Sequence, residues 1–187
     1  MNFRCIFQRD EHLIVSQKTY VYWITGLSGA GKSTLCRKLV QHLREQKRTV
    51  VMLDGDELRE AMGATNSHTQ PERRHLAMRY AHLCRMIATQ GVNVAIATIS
   101  LFREIHDWNR ANIPGYVEIY LHVPLDELKR RDPKQIYARA ARSELKDVAG
   151  FDFAVDEPQS PDVRIEWVCG LTEDAVLAQV IDQLNLN

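Results

Sequence analysis

Apolar residues along the chain fall into short dense runs separated by segments in which they recur every three or four positions. The run Tyr20–Thr25 (YVYWIT) is β-branched and aromatic and stops at Gly26, which predicts a buried strand. From Ser33 onward, Leu35, Leu39, Val40 and Leu43 keep helical spacing. Residues 49–56 (TVVMLDGD) predict a second strand that ends in acidic residues. The longest helical pattern covers 72–90, with Leu76, Tyr80, Leu83, Cys84 and Ile87 on one side, and Gly91 closes it. Further strands are predicted at 92–100, 116–123 and 163–168, and a helix begins near Pro124. A last helix, about 172–184, carries Glu173 and Asp174 in its first turn, where the helix dipole favours acids. Strands alternating with helices predict an α/β fold with a five-stranded parallel sheet covered on both faces.

Composition narrows the class. The length of 187 residues fits one domain. Residues 1–19 read as an N-terminal extension and 20–187 as the domain, with a polar, basic lid over about 129–162. Lys plus Arg equals Asp plus Glu at 24 each, so no global basic field recruits nucleic acid or an anionic membrane, and polyanion binding must be local. Cys5, Cys36, Cys84 and Cys169 form no C-x-x-C pair, which favours reduced thiols over a disulfide scaffold. The first residues lack the apolar core of a signal peptide, and no stretch approaches a membrane span, so a cytoplasmic location is the expectation.

Chemistry concentrates at YWITGLSGAGKSTL (22–35). Gly26, Gly31, Lys32 and Ser33 form G-x-x-x-x-G-K-S between a predicted strand and a predicted helix, the context in which backbone N–H groups converge on a phosphate. Gly26, Leu27, Ser28, Gly29, Ala30, Gly31, Lys32, Ser33 and Thr34 are therefore the candidate ATP site. Lys32 would reach the β- and γ-phosphates and Ser33 would ligate Mg²⁺. No N-K-x-D motif for reading guanine occurs, which argues against a GTPase. The histidines form neither an H-E-x-x-H nor a Cys/His zinc pattern.

LDGDELR (53–59) places Asp54 and Asp56 at the mouth of the second strand, where an extended chain would point both carboxylates at the phosphates. One would help hold Mg²⁺, with Ser33 and Asp56 as the candidate pair, and the other would orient or deprotonate an acceptor hydroxyl. An acidic turn that caps the next helix is the competing reading of Asp56. Arg59, Arg73 and Arg79 follow; solvated helix arginines and guanidinium forks for an anionic acceptor are both open. LKRRDPKQIYARAARSELK (128–146) is dense in cations, as a closing lid over transferring phosphate requires and as a solvated helical face also would be.

Taken together, GLSGAGKST, LDGDELR, TIS (98–100) and RRDPKQIYARA followed by SELK resemble the adenylyl-sulfate kinases, in order and spacing, from about Tyr22 to Pro161. The resemblance implies a P-loop kinase fold that moves the ATP γ-phosphate to the ribose 3′-hydroxyl of adenylyl sulfate, with ATP and Mg²⁺ as cofactors. It implies catalytic roles for Lys32, Asp54, Asp56 and Arg131, with Asp132 and Lys134 in the lid. Asp54, Arg59, Arg73, Arg79, Ser100, Phe102, Arg103 and Lys134 would meet the acceptor. The departures gather on the acceptor side: Glu57 follows D-G-D, Leu76 and Met78 replace an Asn and an Arg, Leu101 replaces a Pro, and Val148 replaces a Phe that stacks on the acceptor base. ISLFREIHDWNRANIPGY (99–116) resembles a capsule-associated branch whose acceptor is a cytidine diphosphoramidate. Adenylyl sulfate leads, with that cytidine compound as the alternative and a non-catalytic ATP-binding module as a second one. The expected partners are small-molecule nucleotides, with a homodimer left open and neither nucleic acid nor membrane.

Overall fold

The computed structural model describes residues 18–64 and 69–187. Most of the expected N-terminal extension, with Cys5, lies outside them. Five parallel strands form one sheet in the order β2-β3-β1-β4-β5: β1 Val21–Thr25, β2 Val50–Asp54, β3 Asn93–Thr98, β4 Tyr116–His122 and β5 Val163–Glu166. β1 occupies the centre, and all five of its residues are buried.

Side chains alternate across the sheet as the pleat demands. On one face Tyr22, Ile24, Ala95, Ala97, Ile119 and Leu121 join Leu35, Leu39 and Leu43 of α1 (Lys32–Glu45) and Val180 of α7 (Glu173–Gln183). On the other, Val21, Trp23, Val94 and Ile96 pack against α3 (Gln70–Ala88) and α4 (Arg103–Asn112). A strand buried on both faces reads as an apolar run without polar alternation, which is the pattern of YVYWIT.

Four elements depart from the expectations. β2 ends at Asp54, and Gly55 already opens α2 (Gly55–Ala61), so Asp56 is helical and the two carboxylates do not share one extended strand. Asp54, not Asp56, is the cap: its carboxylate accepts the Asp56 N–H. α4 lies where no helix was predicted. Its buried side carries His106 and Asn109 beside Ile105, and those polar groups are matched by Glu118 and Tyr116 of β4, so the apolar stripe is too short to read. The basic lid holds α5 (Leu125–Arg131), as expected after Pro124, and also α6 (Ile136–Ala141). The predicted helix 72–90 begins earlier, at Gln70, where Thr69 and Glu72 form a capping box.

Candidate active site

The loop between β1 and α1 stands at the C-terminal end of the central strand, where ligands bind in open parallel sheets. Gly26 is required there because a Cβ would sit 2.6 Å from the Leu121 carbonyl oxygen on the neighbouring strand. Lys32 begins α1 and its ammonium donates to the Leu27 carbonyl at 2.8 Å. Burial pulls the Lys32 ammonium down to about 8; the Asp56 carboxylate opposes this, the Lys134 charge adds to it, and Asp54 opposes it again. The loop thus holds a desolvated cation that a phosphate chain would stabilise.

Ser33 Oγ donates to Asp54 Oδ2 at 2.5 Å, and Asp54 Oδ1 accepts the Asp56 amide at 2.9 Å. Asp56 instead pairs with Lys134 across the cleft, joining α2 to the lid. Burial works to raise the Asp56 carboxyl, but the hydrogen bond and charge of Lys134, with Arg59 and Lys32, together hold it below its ordinary value. The structure therefore brings Ser33 to Asp54, where the sequence had paired Ser33 with Asp56 for a metal.

These groups open onto a cleft of about 690 Å³, within the usual range for ligand sites. Ser28, Gly29, Gly31, Lys32, Ser33 and Thr34 line one end of it. Asp54, Asp56, Arg59, Arg73, Ser100, Phe102, Arg131 and Lys134 line the remainder among the residues singled out from the sequence. Gly26, Leu27 and Ala30 lie outside that lining and shape the loop from behind. Arg79 and Arg103 are exposed and do not line the cleft; the Arg103 amide is bound to Asp156 Oδ2 at 3.0 Å.

Elsewhere in the cleft, Arg59 Nε is buried with no hydrogen-bond partner among the described residues, an orphan donor that an anion would satisfy. Burial and the Arg59 charge lower the Arg73 guanidinium from its ordinary value, against the opposing pull of Asp147. Two arginines that repel one another at a cleft wall mark a place for negative charge. Ser100 holds a positive φ of 28° and shares a 2.7 Å hydrogen bond with Thr98.

The lid touches the phosphate loop directly. Tyr137 donates its hydroxyl proton to the Ser28 carbonyl at 3.0 Å. Arg131 donates from Nε to Glu127 at 2.7 Å, and its guanidinium lies 5.5 Å from the centre of the Trp167 ring. Hydrogen bonds from Arg130 and Arg131 hold the Glu127 carboxyl down at about 2. A smaller cavity of about 110 Å³ beside α1 is lined by Gly31, Thr34, Leu35, Arg131, Trp167 and Leu171, among others. Trp167, Tyr137 and Phe153 are not among the candidate residues read from the sequence, and Tyr80 appears there only on the apolar side of the 72–90 helix. Tyr80 was legible from helical phase, since it follows Arg73 by seven residues and Leu76 by four.

The comparisons agree with this geometry. The chain is 35% identical over 167 residues to "Cytidine diphosphoramidate kinase" of Campylobacter jejuni, a match covering 89% of this chain and 97% of that protein. It is 36% identical over 150 residues to "Adenylyl-sulfate kinase" of Gloeothece citriformis, covering 80% of this chain and 85% of that one. Among solved structures, the Mycobacterium tuberculosis APS kinase in complex with AMPPNP and APS superposes with a TM-score of 0.81 and 31% identity, covering 90% of this chain and 98% of that chain. Residues 18–166 match the family described as "Adenylylsulphate kinase", and the chain belongs to that family of ATP-using phosphotransferases.

Proposed function

We propose that the enzyme transfers the γ-phosphate of Mg-ATP to a ribose hydroxyl of a nucleotide whose phosphate carries a second polar group, adenylyl sulfate being the leading acceptor. The observation that carries this reading is one continuous cleft with the half-buried Lys32 at its phosphate end and the orphaned Arg59 donor at the other. A P-loop ATPase without an acceptor has no use for the second end.

Lys32 and the N–H groups of the loop grip the β- and γ-phosphates. The base of ATP would lie at the smaller pocket, against the outer side of the Arg131–Trp167 pair. Ser33 and Asp54 would hold Mg²⁺: a hydroxyl and a carboxylate 2.5 Å apart at the phosphate end are the hard oxygen donors that this ion takes. When bound, Mg²⁺ supplies charge neutralisation on the phosphate oxygens. Asp56, kept ionised by Lys134, accepts the proton of the acceptor hydroxyl. Arg59 and Arg73 hold the acceptor's anionic group, and Lys134 closes over the transferring phosphoryl group.

A second reading has its own observation. Leu76 and Val148 are buried apolar residues of the acceptor wall. A different base pocket there, together with similarity to the Campylobacter jejuni protein over nearly its whole length, favours cytidine diphosphoramidate as acceptor. Coupled ADP release with Mg-ATP separates them, with each acceptor offered in parallel. Turnover on adenylyl sulfate supports the first reading and turnover confined to the cytidine compound supports the second. ADP release indifferent to both would overturn the proposal. The reading places the enzyme in the cytoplasm with nucleotides as its partners, and light scattering in solution tests a homodimer.

A further inference from the structure

We propose that Phe153 is the ring on which the acceptor base stacks, which makes it a specificity-determining residue; this rests on the nucleotide-acceptor reading above. Among the described residues, three aromatic side chains line the cleft: Tyr80, Phe102 and Phe153. Tyr80 is buried and its hydroxyl is committed to the Gly55 carbonyl at 3.0 Å. Phe102 is buried, with the Arg74 guanidinium 5.5 Å from its ring centre. Phe153 is the partly exposed ring of the three, on a stretch of wall it shares with Val148, Ala149 and Val155.

Phe153 is also held in place by a closed turn. The Val148 amide donates to Asp152 Oδ2 at 2.8 Å, the Asp152 amide donates to the Val148 carbonyl at 2.8 Å, and the Gly150 amide donates to the Phe153 carbonyl at 2.9 Å. Ala149 and Phe153 are bridge partners, so the two ends of the turn lie side by side. At its tip Gly150, with φ +77°, sits against the phosphate loop so closely that a Cβ would lie 2.7 Å from Leu27 Cδ1. Three residues after Phe153 the chain is fixed again. The Asp156 amide donates to the Leu101 carbonyl at 3.1 Å, and its carboxylate accepts the Arg103 amide at 3.0 Å. A ring carried on a backbone held between two anchors, in the same cleft as Arg59 and Arg73, supplies with them the two features by which a nucleotide is recognised, a π-face for the base and cations for its phosphate.

The test uses Phe153→Leu, which keeps apolar volume without a π-face, and Phe153→Tyr, which keeps the ring. With whichever nucleotide acceptor the wild type phosphorylates, F153L is expected to raise acceptor KM about tenfold, the loss of one base–aromatic stack. The KM for ATP and kcat should stay within about twofold, and F153Y should restore the wild-type KM. Binding of the acceptor to the wild type should also give a hypochromic difference spectrum in the base absorption band that F153L loses. An F153L enzyme with unchanged acceptor KM and an unchanged difference spectrum would overturn the assignment while leaving the nucleotide reading intact. If the wild type phosphorylates no nucleotide, the reading itself falls, and the assignment with it.

Discussion

The two ends of the cleft are built in different ways. The proposed phosphate end comes from one contiguous segment, β1, the glycine loop and the first turn of α1, and its working groups would be mostly backbone N–H together with Lys32 and Ser33. The acceptor end is assembled from side chains of α2, α3, the end of β3 and the 148–156 turn, segments separated by up to a hundred positions. A backbone-built site tolerates little change, because its geometry is the chain itself. A side-chain-built site accepts new residues without disturbing the fold, which is how one scaffold comes to serve different acceptors. Proteins named for two different acceptors resemble this chain about equally.

Substitutions at the phosphate end should have the largest effects. Lys32→Met is expected to lower kcat/KM by about 10³-fold with the fold intact by circular dichroism, since it removes a desolvated charge aimed at the phosphates. A loss under tenfold would mean that Lys32 serves the loop, through Leu27, and not the nucleotide. Next come the carboxylates, which the structure separates. Asp54→Asn should raise the Mg²⁺ concentration needed for half-maximal rate and lower kcat about 10²-fold, whereas Asp56→Asn should lower kcat about 10²-fold and leave the Mg²⁺ requirement unchanged. Equal Mg²⁺ responses in the two variants would contradict the Ser33–Asp54 assignment.

The acceptor end is sharpened by a pair of arginines. Arg59→Ala is expected to raise acceptor KM by about 10–100-fold with the ATP KM within about twofold, the worth of a charge-assisted hydrogen bond. Arg79→Ala, exposed and outside the cleft, should change either KM by no more than about twofold. An Arg79 effect as large as that of Arg59 would require the acceptor to extend beyond this cleft. The smallest effect concerns pH. Desolvation lowers the Lys32 ammonium to about 8, so ATP affinity should weaken as pH rises through that value. Phosphate binding restores the charge, so calorimetry just above that pH should register proton uptake on ATP binding. Lys32→Arg, which does not titrate in this range, should bind without uptake.

Legibility in the sequence divides along the same line. The sheet, α1 and the ATP loop follow from contiguous residues and their spacing. The boundary of β2 did not, because VVMLDGD carries no break before Gly55 and extended chain continues in pattern through a helix cap. Arg79 was grouped with Arg73, although helical phase separates them: Arg73, Leu76 and Tyr80 share the stripe that reaches the cleft, and Arg79 falls off it. The replacement at Val148 was legible as a lost ring. Phe153 was not legible as a ring on the same wall, since only the turn's hydrogen bonds bring its two ends together. Trp167 joins Arg131 through a contact between the end of α5 and the β5–α7 connection, which no local pattern announces.

The most direct measurement is ³¹P NMR of a reaction containing the enzyme, Mg-ATP and each nucleotide acceptor in turn. The account expects a new phosphomonoester resonance coupled to a ribose proton, growing in step with ADP. Inorganic phosphate as the sole product with every acceptor would contradict it.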